Sequence, residues 1–98
     1  MKLYTFIADC EGGTFASQHL AENQDCAMLY WIRQIPRQLF KIIYENCDVV
    51  DMNLEISRLH EDELRLERTK GLKGVYGGYL SLNEKEIFLF VIETQIES

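Results

Sequence analysis

The groups with which this chain could do chemistry are two histidines, His19 and His60, three cysteines, Cys10, Cys26 and Cys47, and an excess of carboxylates. Phosphodiester cleavage by acid–base catalysis needs one imidazole to accept a proton and another to donate one. Nothing in the spacing of His19 and His60 supports such a pair, and an acidic chain opposes the approach of a phosphate. The run His60-Glu61-Asp62-Glu63 resembles the start of a zinc-binding helix, but the second imidazole one turn on is missing, because position 64 is Leu64. The spaced Asp/Asn pattern of a calcium loop is absent as well, so the run reads as a solvated charged face. Cys26 near a helix start would gain thiolate character from the helix dipole, yet no partner base is placed beside it, and a structural cysteine is the expectation. The stretch Gly71-Leu72-Lys73-Gly74-Val75-Tyr76-Gly77-Gly78 is glycine-rich, but a phosphate loop has a strand before its glycines and a helix after them, and here a strand follows. Gly77 and Gly78 inside a strand pattern predict a bulge or the close approach of a helix. The sequence therefore predicts a protein that is not an enzyme, with no metal site and no cofactor.

Charge is the most unusual feature of the chain. The formal net charge is −6 over 98 residues, and the segment from Glu45 to Glu67 holds the whole of that excess. Nucleic-acid affinity comes chiefly from Lys and Arg neutralising phosphates, so direct binding of DNA or RNA is not expected. A cationic protein fits such a surface better. The predicted partner-binding residues are Asp48, Asp51, Glu55, Glu61, Asp62, Glu63 and Glu67. A second, weaker candidate is the stripe Tyr30, Arg33, Arg37, Lys41 and Tyr44, which shares one side of an unbroken helical wheel.

These groups need a scaffold, and its length suits one domain over residues 1–98 with a modest core of its own. Three widely spaced cysteines make neither a disulfide framework nor a zinc ribbon, and free thiols in a reducing cytoplasm are expected. The apolar stretch at the N-terminus is too short for a secretory leader, and the run Ile87 to Ile92 falls far short of the roughly 20 residues of a membrane span.

Lys2 to Cys10 and Thr14 to Leu20 flank the turn residues Glu11-Gly12-Gly13 and predict an N-terminal hairpin. Asn23 or Asp25 then caps a helix carrying Met28, Ile32, Ile35, Leu39 and Ile42 on one side, with a break near Gln34 to Ile35 imposed by Pro36. Val50, Met52, Leu54 and Ile56 alternate with polar residues and predict a strand. The charged arm from 57 to 70 fits a short helix or an irregular segment equally well. A second hairpin follows, Val75 to Leu82 and Glu86 to Thr94, whose last strand is apolar on both faces and should be central. The fold class is α+β, an antiparallel sheet of four to five strands with helices packed on one face. The other face then needs a cover, either the 57–70 arm or another chain, so a homodimer is a second expectation.

The segments Leu3-Tyr4-Thr5-Phe6-Ile7, Gly12-Gly13-Thr14 with Ser17-Gln18, and Gly71-Leu72-Lys73-Gly74-Val75 through Glu93-Thr94 look like those of short bacterial proteins of uncharacterised function. In size and acidity the chain is similar to the immunity proteins of contact-dependent inhibition and other toxin–immunity systems. That resemblance implies a cytoplasmic inhibitor that occludes the active site of a toxin domain, and the acidic segment points to a cationic one, such as a nuclease. It assigns no individual residue a role.

Overall fold

The computed structural model describes residues 1–59, 66–68 and 70–95. Five strands form one antiparallel sheet: β1 (Lys2–Cys10), β2 (Gly13–Ala21), β3 (Glu67–Arg68), β4 (Val75–Leu82) and β5 (Lys85–Gln95). Their spatial order is β2-β1-β5-β4-β3, so the doubly apolar β5 is the middle strand, as its composition predicts. Three helices, α1 (Gln24–Arg33), α2 (Arg37–Ile43) and α3 (Met52–Ser57), separate the two hairpins along the chain. The fold is α+β.

Turn chemistry sets both hairpins. Glu11 and Gly12 have φ of 48° and 82°, and Asn83 and Glu84 have 49° and 64°; two consecutive left-handed residues give a turn whose twist matches the strands it joins. The register is then fixed, with Cys10 opposite Gly13 and Leu82 opposite Lys85. It runs without a bulge from Val75 opposite Ile92 to that turn, so the bulge predicted at Gly77 and Gly78 does not form. The Phe90 ring instead lies over Gly77, 3.7 Å from where a Cβ would be. At Gly74 a side chain has no room: its φ is +70°, and a Cβ would stand 2.9 Å from the Glu93 carbonyl oxygen.

Asn23 accepts the Cys26 amide at 2.9 Å and starts α1, which buries Ala27, Met28, Trp31 and Ile32. The helix stops at Gln34, and Pro36 opens α2, which buries Leu39 and Ile43. This break divides the predicted basic stripe. Tyr44, its last member, is buried in the core with its ring 4.8 Å from that of Phe40, and so is not on a solvent-facing stripe.

The strand predicted across residues 50 to 56 is a helix instead. Asp51 accepts the amides of both Asn53 and Leu54, a side-chain cap that commits the next residues to a helical turn. Met52, Ile56 and Leu59 then face the core together.

The helices cover one face. There Tyr4, Phe6, Ala8 and Cys10 of β1, Leu80 and Leu82 of β4, and Ile87, Leu89 and Val91 of β5 are buried. Phe6 stacks on Trp31 with ring centroids 5.8 Å apart and planes 11° from parallel. The Trp31 indole N–H is buried with no hydrogen-bond partner among the described residues, which costs about 1–3 kcal/mol against the packing gained by the ring. Leu59 and Leu66 also pack against this core, and β3 extends the sheet edge. The described part of the 57–70 arm therefore does not cross the other face.

Candidate functional site

The predicted acidic residues separate in space. Asp51 caps α3, Asp48 precedes it in an exposed loop, and the Glu55 carboxylate receives Arg58 at 3.3 Å. Glu67 lies apart from them, on β3 opposite Gly77 at the far edge of the sheet. Glu61, Asp62 and Glu63, with His60, lie outside the described residues.

The topology gathers other carboxylates around Asp48, Asp51 and Glu55. Both hairpin turns point to the same end of the sheet, and they carry Glu11 and Glu84; Asp9 and Glu86, two residues from these, alternate with the buried Cys10 and Ile87 and stand on the outer face. The chain leaving α2 reaches this end too, because Asn83 in the second turn donates to the Ile43 carbonyl at 2.8 Å and lies 3.7 Å from the Cys47 sulfur. Lys85 spans the turns and the helix layer, 2.6 Å from Glu11 and 3.4 Å from Glu45. Its hydrogen bond to Glu11 holds the ammonium proton more tightly than usual, so the positive charge there is permanent at neutral pH. Among the described residues, the cations placed at this end are Lys85 and Arg58, and each is paired with a carboxylate.

Two adjoining hollows open on it. One, of about 190 Å³, is lined by residues that include Val50, Asp51, Leu54, Glu55 and Asn83. The other, of about 380 Å³, lies between Glu55, Arg58 and Leu59 and the turn residues Ser81 to Glu84. Apolar side chains stand among the charges: Val49 is 89% exposed and Leu54 47%. Tyr44 forms part of the floor of the first hollow. Burial, and after it the neighbouring Glu55 carboxylate, push its phenol far above the usual range, and among the described residues its hydroxyl has no well-aligned hydrogen-bond partner. The floor is therefore neutral and the rim negative.

The histidine on the described part of the chain is remote from this end. His19 lies on β2, its ring 5.7 Å from that of Phe6 and edge-on to it, with Ser17 Oγ 3.5 Å from Nε2. Burial lowers its pKa. Cys10 is buried, Cys26 half-buried and Cys47 exposed, and all three are free thiols.

Sequence reasoning missed Glu11 and Glu84 because they are distant along the chain from the 45–67 segment. The signal that finds them is the hairpin register, which places two acidic turns at one end. No protein-family model matches the chain, and no curated protein or solved structure does so either. Among the described residues, no helix is long and apolar enough to cross a membrane.

Proposed function

We propose that the chain is a cytoplasmic inhibitor of the immunity type, which captures a cationic protein domain at its acidic end and occludes that domain's working surface. The observation that carries this reading is the gathering of carboxylates from both hairpin turns, the 45–48 loop and α3 at one end of the molecule, beside the exposed Val49 and Leu54. An apolar centre with a charged rim is the usual anatomy of a protein interface. A nuclease domain suits it in particular, since a protein that holds phosphates must present positive charge. Opposite charge steers the encounter and raises association rates at low salt, which serves an inhibitor that must act before its target turns over. The free thiols of Cys10, Cys26 and Cys47 fit a reducing compartment.

The test compares the natural chain with a triple variant, Glu45→Gln, Asp48→Asn and Glu84→Gln, which spares the cap made by Asp51 and the pair made by Glu55. Each is used to capture partners from the source cell at low and at raised salt. The expected result is a basic protein held by the natural chain, weakened by salt, lost with the variant, and enzymatically silenced only while bound. A partner that both chains hold and silence equally, at either salt concentration, would overturn the reading.

A further inference from the structure

The two edges of the sheet are built differently. At one edge β3 is two residues long and both are charged, Glu67 and Arg68. Short, charged edges are the standard protection against pairing with another chain. At the other edge β2 runs for nine residues, GTFASQHLA, with no Pro, no bulge and no Asp, Glu, Lys or Arg. Burial lowers the pKa of its only titratable side chain, His19. Among the described residues, an edge this long and neutral, in a chain of charge −6, carries none of the usual protection.

The direction of its free backbone groups follows from the hairpin. A two-residue turn closes on a hydrogen-bonded pair, here Cys10 and Gly13, and such pairs alternate along an antiparallel ladder. The odd-numbered residues of β2 therefore spend their N–H and C=O groups on β1. Those of Thr14, Ala16, Gln18 and Leu20 point away from the sheet, and among the described residues no hydrogen bond reaches them. Gln18 directs its side-chain amide back to Thr5 Oγ1 at 3.0 Å, which leaves its backbone clear. Helix α1 packs on the inner face, where its Trp31 stacks on Phe6.

We propose that β2 pairs antiparallel with β2 of a second copy of this chain about a two-fold axis at Ser17, joining two sheets into one of ten strands. In this register Thr14 faces Leu20 of the second copy and Ala16 faces Gln18. The outward groups then meet as hydrogen-bonded pairs, giving about eight backbone bonds. The strand suits a copy of itself in two ways. No like charges meet along its length, although each chain is strongly acidic, and the residue on the axis, Ser17, is small, as is Ala16, which faces Gln18 beside it. Acidic residues come together only beyond its ends, where Gly12 faces Glu22 of the second copy and so brings Glu11 near it. Salt therefore strengthens this pairing, the opposite of its effect on capture at the acidic end. The inference is independent of the proposed function.

Light scattering over a dilution series should show the mass rising from one chain to two, with the transition moving to lower concentration as salt is added. Amide exchange should slow with concentration at Ala16, Gln18 and Leu20, while the amides of Phe15, Ser17 and His19, already bonded to β1, stay unchanged. Ala16→Pro removes an outward N–H at a strand edge, where proline is tolerated, and should weaken the dimer at least 100-fold while leaving the fold intact. If that variant fails to fold, the exchange pattern of the natural chain decides. A single-chain mass up to about 1 mM, concentration-independent exchange at the even-numbered amides, or a dimer that survives Ala16→Pro but is lost with Phe90→Lys on the outer face would each overturn the proposal.

Discussion

Strand β5 shows the same apolar chemistry to two different environments. Its residues Ile87, Leu89 and Val91 face the helices and are wholly buried, whereas Phe88, Phe90 and Ile92 alternate with them on the outer face and keep contact with solvent. Residue type does not explain the difference. Three short helices are enough to cover one face, and among the described residues nothing is laid across the other. The outer aromatics shelter one another instead: Tyr79 and Phe88 have ring centroids 4.6 Å apart, Phe88 and Phe90 meet edge to face at 4.5 Å, and Phe90 covers the gap at Gly77. Even so, Tyr79 is 61% and Phe90 37% exposed. An apolar residue in a strand thus marks a face that can be buried, and only tertiary partners decide whether it is.

Paired truncations on the two faces test that distinction. Phe6→Ala empties a fully buried site that stacks on Trp31 and should cost about 3–5 kcal/mol in urea unfolding. Phe90→Ala removes a ring that is already partly in water and should cost about 1–1.5 kcal/mol. Equal losses would mean that the outer face is covered in solution, and the contrast would fail. A smaller effect is expected where the inner cover is anchored. Asp51→Ala removes the cap of α3 and should cost about 1 kcal/mol, with Asp51→Asn recovering most of it because an amide oxygen also accepts those N–H groups. No recovery with Asn would point to charge, and not capping, as the role of Asp51.

The legible parts of the fold were those fixed by nearby residues. Alternation with Glu11-Gly12 and Asn83-Glu84 between the strands fixed both hairpins, and Pro36 fixed the division of the helices. The segment from Val50 to Ser57 misled because a period of two fits it as well as a period near 3.6. Met52, Ile56 and Leu59 also lie at helical spacing, and the decisive vote is cast by the Asp51 side chain, which captures two amides that a strand would need for its ladder. The acidic end was half legible. Asp48, Asp51 and Glu55 stood out as part of a dense run, but Glu11 and Glu84 join them only through strand register, which no local window contains. The same register decides which backbone groups of β2 face outward.

The smallest effect belongs to His19, at the margin of the covered face. Its pKa is lowered from 6.5 because the partly buried ring is deprived of water when charged. The unfolded chain therefore takes up the proton first as pH falls. Above the unfolded value both states are neutral and the fold has its full stability. Between that value and the lower folded one, the unfolded state binds more protons and stability declines, and below the folded value this contribution is gone. His19→Gln should remove the decline without changing the slope below about pH 5, where carboxylates take over. The measurement is the urea midpoint at closely spaced pH values from 7.5 to 5.5 for both chains. Parallel curves would show that the β2 margin is as wet as the outer face, and the distinction between the two faces would then stop at β1.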